Sequence, residues 1–323
     1  MNFLPTTATE LKELGWQQLD IILLTGDTYI DSPYIGVALI GRYLAAHGFK
    51  VGIIAQPELD SELDITRLGE PKLFWGVTSG SVDSMVANYT PLKKRRKSDD
   101  FTPGGLNNRR PDRAVIVYTN LIKKYFSNTV PIVLGGIEAS LRRIAHYDYW
   151  SNKIRKSILF DAKADILIYG MAEKSIYLLA QKLQSAKSYK HIPGICFIDS
   201  SPPPDFIELP NYTACATDKD QFTRMFTTFY QHTDPLTAGG LYQQYDNRYL
   251  IQNPPSPHLT VREIDAIYEK GFTRNVHPYY QKQGRVNAQE TIKFAITTHR
   301  GCYGECNFCA IAVHQGISVI YRS

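Results

Sequence analysis

The chain has 323 residues, a formal net charge of +5, 43% hydrophobic and 21% charged residues. That length suits one large or two modest domains, and that balance suits a globular core under a solvated surface. No apolar run reaches bilayer length, which excludes a membrane-spanning helix bundle, and the charge is too mild to imply a nucleic-acid partner by itself. Only five cysteines occur, and three fall close together, the pattern of a reducing compartment. The first residues lack the basic start and apolar core of a secretory leader, so cytoplasm is the expected location.

After a short lead (residues 1–19), the chain alternates strand and helix patterns. Residues 20–27, 50–56, 73–79, 131–136 and 165–170 are short apolar runs closed by turn residues, each predicted as a buried parallel strand. Residues 34–47, 113–126 and 174–183 carry apolar positions at helical spacing, the first stopped by Gly48. Five strands alternating with helices predict an α/β fold, a flavodoxin-like doubly wound parallel sheet in the order 2-1-3-4-5 over residues 20–200. Its ligand crevice is expected at the carboxyl ends of strands one and three, at Thr25, Gly26, Asp27, Ser79, Gly80 and Ser81. These glycines could admit a ligand to the backbone or merely make tight turns. The next turn carries Glu138 and Ser140, read first as helix-capping and packing residues.

Two clusters lie outside this pattern. KKRRK at 93–97 sits among prolines and glycines and reads as an exposed loop. A solvated loop is the plainer reading and an RNA contact its alternative. Arg142, Arg143, His146, Tyr147, Asp148, Tyr149 and Trp150 form a polar and aromatic cluster, read as a domain interface. Residues 201–288 are punctuated by prolines and read as a connector, with helices near 219–232 and 261–270 and an extended stretch at 249–255. His277 is expected to pack in a loop. Cys196, in a predicted strand, reads as a small core residue.

Cys302, Cys306 and Cys309 are spaced C-x3-C-x2-C, with Phe308 before the third, after the apolar run 292–298. Three thiolates from one loop can hold three irons of a four-iron cluster and leave the fourth open. Zinc would need a fourth ligand, and His299 and His314 are nearby.

Here the sequence resembles the radical S-adenosylmethionine (SAM) enzymes, whose signature is this spacing after an apolar strand. The resemblance implies that the three cysteines ligate a [4Fe-4S] cluster. It also implies that the open iron chelates SAM, that an electron from a donor releases a 5′-deoxyadenosyl radical, and that Phe308 lies against the cofactor. Residues 289–323 would then be the first strand and cluster loop of a (β/α) barrel. Such barrels build their sites from several strand ends, so the expectation is the N-terminal portion of a longer enzyme with a further barrel segment as its partner. The five-strand domain resembles the cobalamin-binding-like domain that precedes many such cores. Where an axial histidine would stand in its Asp-x-His-x-x-Gly motif, Asp31 is followed by Ser32 and Pro33, which argues against cobalamin. The strings TGD at 25–27, GIIAQP at 52–57, RRPDRA at 109–114, GGIEASLRR at 135–143 and HYDYW at 146–150 narrow the resemblance to the YgiQ-type radical SAM proteins. A different class of reading is a non-catalytic ligand- or RNA-binding module with a zinc or labile iron–sulfur site.

Overall fold

The structure is a computed structural model and describes residues 2–323. Its strands in chain order are β1 (Ile21–Thr25), β2 (Val51–Ala55), β3 (Phe74–Thr78), β4 (Ile132–Leu134), β5 (His146–Asp148), β6 (Lys153–Arg155) and β7 (Ile166–Ile168). They continue with β8 (Ile195–Asp199), β9 (Ile207–Leu209), β10 (Leu241–Tyr245), β11 (Arg248–Gln252), β12 (His299–Arg300) and β13 (Ile320–Tyr321). β1, β2, β4 and β7 are mostly β-branched and aliphatic, β3 adds Phe74 and Trp75, and all have both faces covered, which is why they read as continuous apolar stretches. Ile22 and Leu24 of β1 point into one core beside Val115, Tyr118 and Ile122 of the helix Ala114–Tyr125. Ile21 and Leu23 point into the other, beside Val37, Ala38 and Leu44 of the helix Gly36–Ala46 and Ile176 and Leu179 of the helix Glu173–Gln184.

The main sheet has nine strands in the order β2-β1-β3-β4-β7-β8-β11-β10-β9. The first five are parallel and follow the expected 2-1-3-4-5 winding, with β7 as the fifth. β8 then pairs antiparallel with β7, and β11 and β10 continue the antiparallel run. The stretch 201–288, expected as a connector, thus supplies β9, β10 and β11 to the same sheet. Buried polar groups make that extension specific. Gln243 Oε1 accepts from Ala145 N at 2.9 Å, and Gln252 Oε1 accepts from Arg143 Nε at 3.0 Å.

One sequence expectation needs correction. Residues 292–298 do not form a strand: Ala288–Ile292 is helical, and strand structure resumes only at β12, paired with β13. A strand needs a neighbouring strand to take its backbone hydrogen bonds, and among the described residues none pairs with 293–297; the Lys293 and Ala295 carbonyls accept instead from Arg274 Nη1 at 3.1 and 2.8 Å. Phe294 and Ile296 are accordingly 84% and 75% exposed.

Candidate functional site

The carboxyl ends of β1, β3, β4 and β7 open into a cavity of about 600 Å³, walled on its far side by residues 296–300 with Ile311, His314 and Gln315. This is the switch-point crevice expected for the winding order. Its floor is aliphatic (Leu23, Val77, Val133, Ile168) and its rim polar (Thr25, Thr78, Ser81, Glu173).

The rim glycines are demanded by packing. A Cβ on Gly80, at φ +107°, would lie 2.2 Å from Asp27 Oδ1, and one on Gly136, at φ +79°, 2.3 Å from Thr78 Oγ1. Asp27 is fully buried, 2.8 Å from Arg110 Nη2, and accepts from Ser81 N at 2.6 Å. Arg110 also pairs with Asp99 at 3.1 Å. The strings TGD and RRPDRA therefore lock each other around the crevice. Glu138 does not cap the helix that follows β4, in which it lies; its two oxygens accept instead from Ser84 N at 2.8 Å and Val115 N at 3.3 Å, at the starts of two other helices. Burial, with Asp83 nearby, raises its pKa.

Pro33 and Gly36 line the cavity, whereas Asp31 is committed elsewhere. Its carboxylate takes Arg42 Nε at 2.7 Å and Thr273 N at 2.7 Å. This loop therefore offers neither an axial histidine nor a free carboxylate to support one. His277 packs as expected, stacked on Tyr29 with ring centroids 5.5 Å apart and with Nε2 2.9 Å from Glu10.

The cysteine segment is fastened to the crevice by two contacts that sequence reasoning missed. Arg300 and Glu173, 5% and 1% exposed, form an ion pair at 2.7 Å, and Arg300 Nε donates to the Tyr268 hydroxyl at 2.9 Å. Glu173 Oε2 and Arg300 Nη1 are buried without a hydrogen-bond partner among the described residues. His314 Nδ1 lies 3.1 Å from Ser140 Oγ. Enclosure, then the charges of Arg143 and Arg300, push that imidazole down to about 4. In sequence Glu173 looks like an ordinary acidic residue in a first helical turn; only the fold brings it to Arg300.

The loop itself is closed by β12 and β13. Cys302 N donates to Gly316 O at 3.1 Å, and Gly301, at φ +83°, has its Cβ position 2.1 Å from Ser318 O. All three thiols are free. The sulfurs of Cys302 and Cys306 lie 3.4 and 3.7 Å from the Cβ position of Gly304, so a glycine there leaves room between them. Cys309 N donates to Cys306 O at 2.8 Å, turning the third cysteine back on the second. Among the described residues no three His, Cys, Asp or Glu side chains converge on one metal-sized point. Of the two nearby histidines, His299 is exposed and His314 lies against Ser140. A soft, three-thiolate donor set in one open loop fits an iron–sulfur cluster better than a closed four-ligand zinc site. Phe308 is 92% exposed.

The polar and aromatic cluster divides. Arg143 is buried between the rings of Tyr169 and Phe229, 4.4 Å from each centroid. Arg142 pairs with Asp83, and Asp148 with Arg113 at 2.8 Å. Tyr147 and Tyr149 stay on the surface.

The chain matches the family described as radical SAM N-terminal over residues 3–295, ending just before the cysteine motif. It is 59% identical to a UPF0313 protein of Fusobacterium nucleatum over 324 residues, which cover 100% of this chain and 57% of that protein. A UPF0313 protein of Thermotoga maritima is 55% identical, with 99% of this chain and 57% of that protein covered. One from Methanocella arvoryzae is 48% identical, with 98% and 53% covered. The chain thus spans somewhat more than half the length of these relatives. Among solved structures it is similar to the radical SAM methyltransferase TsrM of Kitasatospora setae with tryptophan substrate and a SAM analog bound. The TM-score is 0.51 at 14% identity, covering 94% of this chain and 43% of that one. A second structure of TsrM, with cobalamin and a [4Fe-4S] cluster bound, gives a TM-score of 0.50 at 15% identity. At that identity the likeness establishes the shared fold alone. No helix among the described residues is long and apolar enough to cross a membrane.

Proposed function

Because the chain belongs to the radical SAM N-terminal family, and its relatives are UPF0313 proteins of the YgiQ type that its sequence strings resemble, we propose that Cys302, Cys306 and Cys309 hold a [4Fe-4S] cluster that takes SAM at its open iron. The observation that carries this reading is three free thiols in one open loop whose flanking residues, Arg300 and Ile311, line the crevice. Such a cluster, when bound and reduced by an electron donor, supplies the electron for cleaving SAM.

The chain's own residues do the rest. Gly301 and Gly304 let the loop fold tightly around the thiols, and Arg300, paired with Glu173, fixes the strand from which the loop springs. Ser140 holds the helix Ile311–Gln315 against the sheet through His314. The aliphatic crevice floor excludes water from whatever faces the cluster. Phe308 is free to close over the cofactor. Pro33 and the engaged Asp31 do not fit a histidine-ligated cobalamin, and no step here runs through that group. Residues 289–323 act as the entry to the catalytic barrel, and the exposed Phe294, Ile296 and Tyr303 suit burial by further protein that completes it. Free thiols and such a cluster suit a reducing cytoplasm.

Anaerobic reconstitution tests the reading. We expect about four irons and four sulfides per chain, lost in the triple variant C302A/C306A/C309A. The paramagnetic resonance signal of the reduced protein should shift when SAM is added. Stoichiometric zinc without sulfide would replace this reading with a non-catalytic module. A cluster whose signal ignores SAM would remove the SAM assignment from these residues.

A further inference from the structure

Two sequence clusters that the proposed chemistry leaves unused are brought together on one surface. Residues 93–97 are a run of five cations, all exposed. The loop that carries them is ordered by its own bonds: Arg96 N donates to Asn88 O at 2.7 Å, and Asn107 Nδ2 donates to Arg96 O at 3.1 Å. Ser98 bridges Leu106, and Tyr89 bridges Arg95. Against it packs the turn that joins β5 to β6. Lys93 Nζ lies 4.7 Å from the centroid of Tyr149, and the Tyr149 hydroxyl donates to Pro91 O at 2.7 Å. Trp150 packs against Tyr89 with centroids 5.4 Å apart. Of the five cations only Arg95 is in an ion pair among the described residues, with Asp112 at 3.6 Å. Lys94 and Lys97 present their charge to solvent, while Lys93 Nζ also donates to Trp150 O at 3.4 Å and Arg96 Nε to Val86 O and Tyr89 O at 3.3 and 3.2 Å, with both residues still exposed. Tyr149 and Tyr147 remain 48% and 51% exposed, so each offers ring surface outward. On the other side of the same hairpin, Tyr147, Lys153, Lys219 and Phe222 line a cleft of about 560 Å³, with Asp218 at its edge capping the helix Lys219–Gln231.

We propose that this face binds single-stranded nucleic acid. Lys93, Lys94, Arg96 and Lys97 meet the phosphates, Tyr149 gives a stacking surface to one base, and the cleft beside Tyr147 receives another. Cations that track a backbone, interleaved with part-exposed aromatic rings, form the chemistry that holds unpaired strands without sequence readout. A basic loop alone would serve any anion. The rings beside it favour a partner with stackable faces over a lipid headgroup or an acidic peptide. The inference does not depend on the cluster, and protein without reconstituted iron is expected to bind equally well.

The test is fluorescence anisotropy of the full chain with labelled oligonucleotides of one mixed sequence, as RNA and as DNA, across a salt series. The triple variant K93A/K94A/K97A should lower the slope of log affinity against log salt by about 2, at roughly 0.7 per phosphate contact. Tyr149→Ala should weaken binding by about 5-fold or more with the slope unchanged, and Tyr149→Phe should bind as the parent does. A preference for RNA over DNA would identify the strand as RNA; equal affinity would leave the shared class. The matched variant K12A/K72A/K187A, exposed lysines on other elements, should change little. Three results would overturn the proposal. One is no salt-dependent binding by the parent, and another is equal loss in the matched variant. The third is tighter binding to anionic lipid vesicles than to either oligonucleotide.

Discussion

At the scale of single residues, the chain's distinctive strings are mostly a set of interlocking charges. Arg110 is almost wholly buried and sits between Asp27 and Asp99. Removing one member of such a group leaves uncompensated charge in a low-dielectric interior. Arg110→Ala should therefore destabilise the fold by about 3–5 kcal/mol in urea titration, far more than Arg109→Ala, whose partner Glu58 is exposed. Glu10 gives a pH signature. Partial burial alone would raise its pKa, but hydrogen bonds from His277, Thr6 and Thr7 outweigh burial and bring it down to about 2. A depressed carboxylate contributes stability that is fully present above its ordinary value of 4.5 and lost as pH falls toward about 2. Acid unfolding of Glu10→Gln should be flatter than the parent's across that window, while the two converge in slope at neutral pH.

Elements were legible where one physical rule dominated. β1, β2, β3, β4 and β7 were readable because a strand buried on both faces cannot be anything but apolar. β10 was not, because it alternates buried and half-buried residues and carries two glutamines. Gln243 looks like a surface residue until Ala145 N, Pro210 O and the Tyr245 hydroxyl are seen to satisfy it. The run 292–298 misled for the opposite reason: its apolar residues suit a strand, but pairing depends on a neighbour. In the candidate site, the cysteines and the crevice were readable from spacing and turns, whereas the two distant helices that Glu138 caps were not. The contacts that join cysteine loop to crevice were not, because Ser140 and His314 are 174 residues apart. That junction predicts a local effect. Ser140→Ala removes the contact to His314, about 1 kcal/mol, along with the bond it accepts from Gly170 N at 3.2 Å, so amide exchange within Ile311–Gln315 should quicken about 5-fold by mass spectrometry and Gly170 N should lose protection with it.

For the whole molecule, the distribution of apolar surface is uneven in a way that tracks the fold. The nine-stranded sheet buries its strands between two helical layers. The C-terminal segment beyond it leaves Phe294 at 84%, Ile296 at 75%, Tyr303 at 84% and Phe308 at 92% exposure within fifteen residues. Large side chains so exposed and so close in sequence make a surface that seeks cover, here by another copy. The chain should therefore self-associate on concentration, through 293–298 and not through the sheet edge at β2. That edge is shielded by Pro5 O, which accepts from Ile53 N at 3.0 Å. The double variant F294S/I296S should shift light-scattering mass toward the monomer while leaving the urea midpoint unchanged, because neither side chain belongs to either core. If the oligomer persisted unchanged in that variant, the contact would have to lie elsewhere. If the midpoint fell with it, residues 293–298 would be part of the folding unit, and their exposure would no longer explain the association.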